Sequence, residues 1–97
     1  MKKGEIVLEE EKYLKESEFI KAASKHIRYY RNYRGMTQEE LAEKAQISTN
    51  HLKSIERGKS SPSFFVIFKL AKALNIEFGL LAKDIDKELD VSHPPEN

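Results

Sequence analysis

The residues of this 97-residue chain that could do chemistry are not arranged for catalysis. There is no Cys, and so no thiolate nucleophile, no disulfide framework and no thiolate metal site. His26, His51 and His93 lie far apart in sequence, the four Gly are scattered rather than gathered into a phosphate-binding loop, and no Ser stands in a glycine-flanked nucleophile motif. The expectation is therefore a protein that is not an enzyme, with no metal and no cofactor. What remains is binding chemistry. Lys21, Lys25, Arg28, Arg31 and Arg34 fall in one stretch. They form either an ordinary solvated helix face or the electrostatic footprint of a polyanion.

The total charge at first argues against a polyanion partner, because 17 basic and 16 acidic residues leave a formal net charge of +1. Divided along the chain, the sum reads differently. Residues 1–20 carry a net −2, residues 21–72 a net +7 and residues 73–97 a net −4. A basic middle is flanked by acidic ends. With 34% charged and 39% hydrophobic residues, the chain has the composition of one soluble globular domain. The longest apolar run, Phe64 to Phe68, is too short to span a membrane, and Glu5 and Glu9 to Glu11 leave no room for a signal peptide after Lys2 and Lys3. A cytoplasmic location with no membrane partner is the default expectation.

Positioning these residues requires helices, since no segment alternates with period two. Ser17 is a plausible N-cap with Glu18 in the first turn, and apolar residues recur at Ile20, Ala23, Ile27 and Tyr30 until Gly35 stops the helix. Thr37 and Glu40 make a capping box before a short helix whose buried side is Leu41, Ala42 and Ala45 and which stops near Gln46. Ser48 caps a third helix with Leu52 and Ile55 turned inward, ended by Gly58. Phe64, Ile67, Phe68, Ala71 and Leu74 form the expected apolar stripe of a fourth helix, with Asn75 as its left-handed stop. A fifth begins near Ile76 and extends to about Leu89. The first sixteen residues are a frayed arm or a docked helix, and Ser92 to Asn97 read as a disordered tail.

Helix 38–45 and helix 49–57 are joined by Gln46, Ile47 and Ser48. This is the unit in which a second helix is offered to a DNA major groove, although pattern alone also fits a generic helical hairpin. The residues Ile27 to Arg31, Gly35-Met36-Thr37-Gln38-Glu39-Glu40-Leu41-Ala42, Ile47-Ser48, Leu52, Ile55-Glu56-Arg57-Gly58-Lys59 and Pro62-Ser63 resemble the Cro/repressor-type (XRE-family) helix-turn-helix regulators, and Lys69 to Leu74 is similar to that family's fourth helix. The resemblance covers about residues 20–81. It implies an all-α, compact five-helix lambda-repressor-like domain with short N- and C-terminal extensions, divided as 1–16 (extension), 17–82 (helix-turn-helix domain) and 83–97 (extension and tail).

The resemblance further implies a sequence-specific, repressor-like transcriptional regulator that binds double-stranded DNA as a homodimer. By position, Thr49, Asn50 and Ser54 would face base edges, with Asn50 suited to adenine and the Thr49 methyl to thymine. Thr37, Gln38, His51, Lys53, Arg57 and Lys59 would meet the DNA backbone, Gln38 at the helix N-terminus, where exposed N–H groups attract phosphate. Arg31 and Glu56 match a structural ion pair. Phe65, Val66 and Leu80 depart from the family pattern. As surplus exposed apolar residues they are the candidate interface, meeting a dimer mate or an end extension. They also support an alternative, an antitoxin-like or adaptor module whose main role is to hold a protein partner.

Overall fold

The computed structural model describes residues 14–89. Its order is α1 (Glu16–Tyr33), α2 (Gln38–Ala45), α3 (Thr49–Glu56), α4 (Phe64–Ala73) and α5 (Phe78–Glu88), with no strand among the described residues. The expectations for residues 1–13 and 90–97 lie outside the described residues. α1 packs on α3 and α5, α2 on α3 and α4, and α4 on α5. Ile27, Leu41, Leu52, Ile55, Leu70, Leu74 and Leu81 are fully buried where these helices meet.

The starts of α2, α3 and α4 follow short polar side chains, whereas the N-caps of α1 and α5, Lys15 and Glu77, make no side-chain capping bond. Thr37 Oγ1 accepts from the Glu40 N–H at 3.0 Å while Glu40 Oε1 accepts from the Thr37 N–H at 2.9 Å, completing the capping box. Ser48 caps α3 through the His51 N–H, and Ser63 caps α4 through the Val66 N–H. Ser17, the cap expected from the sequence, lies inside α1, whose N-cap is Lys15. Glu16 and Glu18 still place negative charge in that first turn, where the helix dipole favours it.

The ends of the first four helices share one device. A residue with φ between 57° and 75° follows each of α1 to α4: Gly35, Gln46, Gly58 and Asn75. In each, the next residue's N–H turns back to a carbonyl five positions earlier, as in Met36 to Arg31, Ile47 to Ala42, Lys59 to Ser54 and Ile76 to Ala71. That paired arrangement satisfies carbonyls the helix leaves orphaned. Gln46 does this with a side chain where glycine would be unstrained. Its carbonyl is also held by Lys69 Nζ at 3.1 Å, which ties the turn to α4.

Two expectations need correction. Phe64 and Phe68 do not belong to the buried stripe of α4; Phe64 is 71% exposed, and Ile67, Leu70, Ala71 and Leu74 face the core. In a segment that is apolar on nearly every side, periodicity does not select the inward face. The boundary after residue 82 falls inside α5, where Ile85 is buried, so the helical body continues to Glu88.

α1 and α5 are joined by Tyr30, whose hydroxyl donates to Asp84 Oδ2. The carboxylate acceptor and burial together push the Tyr30 phenol up to about 12. The protonated phenol is thus favoured by folding. Its contribution is complete below the ordinary tyrosine value near 10 and is lost as pH rises through about 12. Tyr30→Phe is expected to lower stability at pH 8 by about 1 kcal/mol. It should also remove part of the decline in urea midpoint between pH 10 and 12. Identical pH profiles for the two proteins would contradict this role.

Candidate nucleic-acid interface

α3 is a short helix, and eight residues do not hold helical structure by propensity alone. Its position comes from what it buries. Leu52 and Ile55 are fully enclosed, and the small Ala42 and Ala45 of α2 let the two helices approach closely. Ile47 in the turn rests on the same core. Asn50 on the opposite side of α3 and Arg57, its C-cap, are thereby exposed.

The third inward residue of α3 is charged. The Glu56 side chain is only 2% exposed, yet it is a carboxylate, and a buried carboxylate without partners would be strongly destabilising. Arg31 supplies two bonds, Nε to Oε2 at 2.7 Å and Nη2 to Oε1 at 3.0 Å. Arg31 Nη1 also donates to the Met36 carbonyl at 2.9 Å. Gln38 Nε2 donates to Glu56 Oε1 at 2.9 Å. One carboxylate therefore links α1, the α1–α2 turn, the first turn of α2 and the end of α3. Bidentate geometry and the additional donors are what allow such a pair to offset its desolvation.

The residues named from the sequence fall around this anchor in different ways. Asn50, Arg57 and Lys59 are exposed, and Thr49, His51 and Lys53 are half-buried along α3. Thr37 and Gln38 stand at the N-terminus of α2, where the Gln38 and Glu39 N–H groups precede the first intrahelical bonds. One N–H of the Gln38 side-chain amide, however, is committed to Glu56, which leaves the second N–H, Oε1 and the backbone N–H for other partners. The Ser54 hydroxyl is half-buried and hydrogen-bonded to Ser60, a partner sequence reasoning did not identify. Among the candidate interface residues, Phe65 is 64% and Leu80 44% exposed, whereas Val66 rests partly on the core. The exposed apolar face extends further than those three: Phe64 and Phe68 flank Phe78 with ring centroids 5.0 and 5.6 Å away.

Most of the basic stretch on α1 is turned to structural use. Arg34 donates to the carbonyls of Leu74 and Asn75 at the end of α4, at 2.9 and 3.0 Å. Arg28 donates to the Glu56 carbonyl at 2.6 Å, and Ser24 Oγ donates to the same oxygen at 2.7 Å. A cation at a helix C-terminus complements the negative end of its dipole. Lys25 pairs with Glu88 of α5 at 2.8 Å, and this contact holds the Glu88 carboxyl below its ordinary value. Sequence spacing could not show these uses, because each of these acceptors is a backbone carbonyl or lies on a distant helix.

No helix of the described residues is long and apolar enough to cross a membrane, and no group of three or more acidic or His side chains among them could hold a metal ion.

Residues 27–81 match the profile of the helix-turn-helix family HTH_3. An uncharacterized HTH-type transcriptional regulator of Methanocaldococcus jannaschii is 41% identical over 59 residues, covering 61% of this chain and 83% of that protein. One from Archaeoglobus fulgidus is 38% identical over 63 residues, covering 65% and 90% respectively. Among solved structures, the restriction-modification controller protein C.AhdI of Aeromonas hydrophila superposes with a TM-score of 0.61 at 32% identity, over 64% of this chain and 94% of that one.

Removing one member of the Arg31–Glu56 pair strands the other. Glu56→Ala is expected to cost about 3–5 kcal/mol in chemical denaturation. Replacing both members together, in Arg31→Met/Glu56→Leu, should recover more than half of that loss. A Glu56→Ala protein with an unchanged denaturation curve would rule out the anchoring role.

Proposed function

The chain belongs to the helix-turn-helix family and is a DNA-binding transcriptional regulator, and from that premise we propose that it reads base edges in the major groove with the outer face of α3, as a two-fold dimer. The observation that carries this reading is the division of α3. Leu52, Ile55 and Glu56 are fixed inside, while Asn50 and Arg57 are exposed and Ser54 is half-buried beside them. In a dimer, two such helices would enter successive grooves about 34 Å apart.

Roles divide by chemistry. Asn50 carries the side-chain amide that pairs bidentately with adenine, and the Thr49 methyl suits thymine. Ser54 approaches the bases while tethered by Ser60, which limits its hydroxyl to fewer orientations. The free N–H groups at the start of α2, with Thr37 and Gln38, meet a phosphate. His51, Lys53, Arg57 and Lys59 supply further backbone contacts, which set register rather than sequence. Occupying a site beside a promoter would obstruct polymerase, a repressor-like outcome.

The dimer reading is supported by the number of exposed large apolar residues on α4 and α5, Phe64, Phe65, Phe68 and Leu80, of which Phe64 and Phe68 cluster on Phe78. The same face favours the second reading, an antitoxin-like or adaptor protein that presents it to another protein. Sedimentation of the purified chain separates the two. Self-association weakened at least tenfold by Phe65→Ser supports the dimer, while a monomer that copurifies with a stoichiometric partner supports the adaptor.

Asn50→Ala is expected to cost about 1–3 kcal/mol on a site selected from random duplexes, and to relax preference at one base pair. Gln38→Ala should weaken selected and scrambled duplexes alike, with an additional loss of thermal stability from the Glu56 bond. Unaltered affinity in both variants would overturn the assignment of α3.

A further inference from the structure

A groove of about 510 Å³ runs between the first half of α1 and the end of α3. Ser17, Lys21, Ser24, Lys25 and Arg28 line it from α1, and Arg57 and Gly58 line it from α3. Four of its lining residues are cationic and none is acidic. Like charges at this spacing repel, so each calls for a reason. Two have one within the fold: Lys25 is paired with Glu88, and one nitrogen of Arg28 is held by the Glu56 carbonyl and Ser24 Oγ. Lys21 and Arg57 have no ion-pair partner among the described residues. The remaining N–H groups of the Arg28 guanidinium are likewise uncommitted among those residues, and that guanidinium is already immobilised at the groove.

We propose that this basic groove grips a phosphodiester of the DNA backbone beyond the base pairs that α3 reads, with Lys21 and Arg28 as its principal contacts. The assignment rests on the reading of α3 given above. Its location supports it: Arg57 closes α3 and lies both at the edge of the outer face and in the groove, so a strand leaving the major groove there passes directly onto Lys21 and Arg28. A guanidinium already held by a carbonyl loses little further freedom when it meets an anion, and Ser17 and Ser24 place hydroxyls in the same groove.

The test uses the full chain and a duplex carrying a selected site, in which one backbone phosphate at a time is replaced by a neutral methylphosphonate. At one phosphate per half-site, the neutral linkage should weaken the wild-type protein about eightfold at 0.1 M salt, the effect of one lost phosphate contact. The same linkage should weaken Lys21→Gln by a clearly smaller factor, the part that Arg28 still contributes. Lys21→Gln should also reduce the slope of log affinity against log salt by about 0.9 per protomer, and Lys21→Arg should restore both. Lys21 is exposed, so all three proteins should melt together. If the penalties of Lys21→Gln and of the neutral linkages simply multiply at every position, the phosphate assignment is wrong, provided the wild type still prefers the selected site. If the wild type binds selected and scrambled duplexes alike, the reading of α3 fails and the phosphate assignment falls with it.

Discussion

A carboxylate removed from water dictates the arrangement of the first three helices. Glu56 is placed by the same helical turn that buries Ile55, so it enters the interior whether or not a partner is there. The chain meets that demand from two directions, with the bidentate Arg31 from α1 and the amide of Gln38 from α2. Each donor fixes an orientation as well as a distance. The pair contributes little net stability compared with an apolar substitute of the same volume. Its effect is positional: α3 cannot rotate or slide without breaking charge-assisted bonds to two other helices. The outer face of α3 is therefore presented in one attitude.

The same economy explains why a basic helix need not be a DNA-binding helix. Along α1, Arg28, Arg31 and Arg34 are spaced three apart, and each reaches a different acceptor on α3 or at the end of α4. Three of the cations that raise residues 21–72 to a net +7 thus serve to seat other helices. Arginine suits this task because one guanidinium offers several donors in a rigid fork. The charge still free for phosphate is smaller than the sequence sum, and acidic ends offset it further. Such a protein gains little from non-specific attraction, so under the proposed reading its selectivity would rest on base contacts and on a second copy of them.

Where local chemistry decides structure, the sequence was readable. The capping box at Thr37, the Ser48 cap and the stops at Gly35, Gly58 and Asn75 all follow from residues within five positions of one another. The Arg31–Glu56 pair came from the family resemblance, since nothing local relates residues 25 apart. What could not be read depended on neighbours distant in sequence. Ser17 has good capping chemistry, but α1 begins earlier, at Glu16. Gln46 adopts a left-handed conformation that its side chain disfavours, held by the packing of Ile47 and by Lys69. Phe64 shares a helical spacing with Ile67, yet it projects past the core onto the edge of Phe78. One N–H of the Gln38 amide turns inward to Glu56 rather than remaining free for phosphate, because the buried carboxylate has a lone pair that Arg31 does not fill.

These constraints bear on how a domain with few uncommitted cations could bind DNA selectively. Each of α1 to α4 is closed by a left-handed residue and a backbone bond reaching five residues back, so the ends that usually fray are tied down. The turn between α2 and α3 is held further by Lys69, and the far end of α3 by Arg28 and Ser24. A helix fixed at both ends and along its inner face has little conformational freedom left to lose on binding. If α3 reads bases as proposed, rigidity of this kind would raise the cost of a mismatched base, because the helix could not shift to make other bonds and the polar side chains of its outer face would be left unsatisfied against the DNA. The groove beside α1 follows the same logic. Its guanidinium is held by the carbonyl at the end of α3, so a phosphate bound there as proposed would be referenced directly to the position of α3.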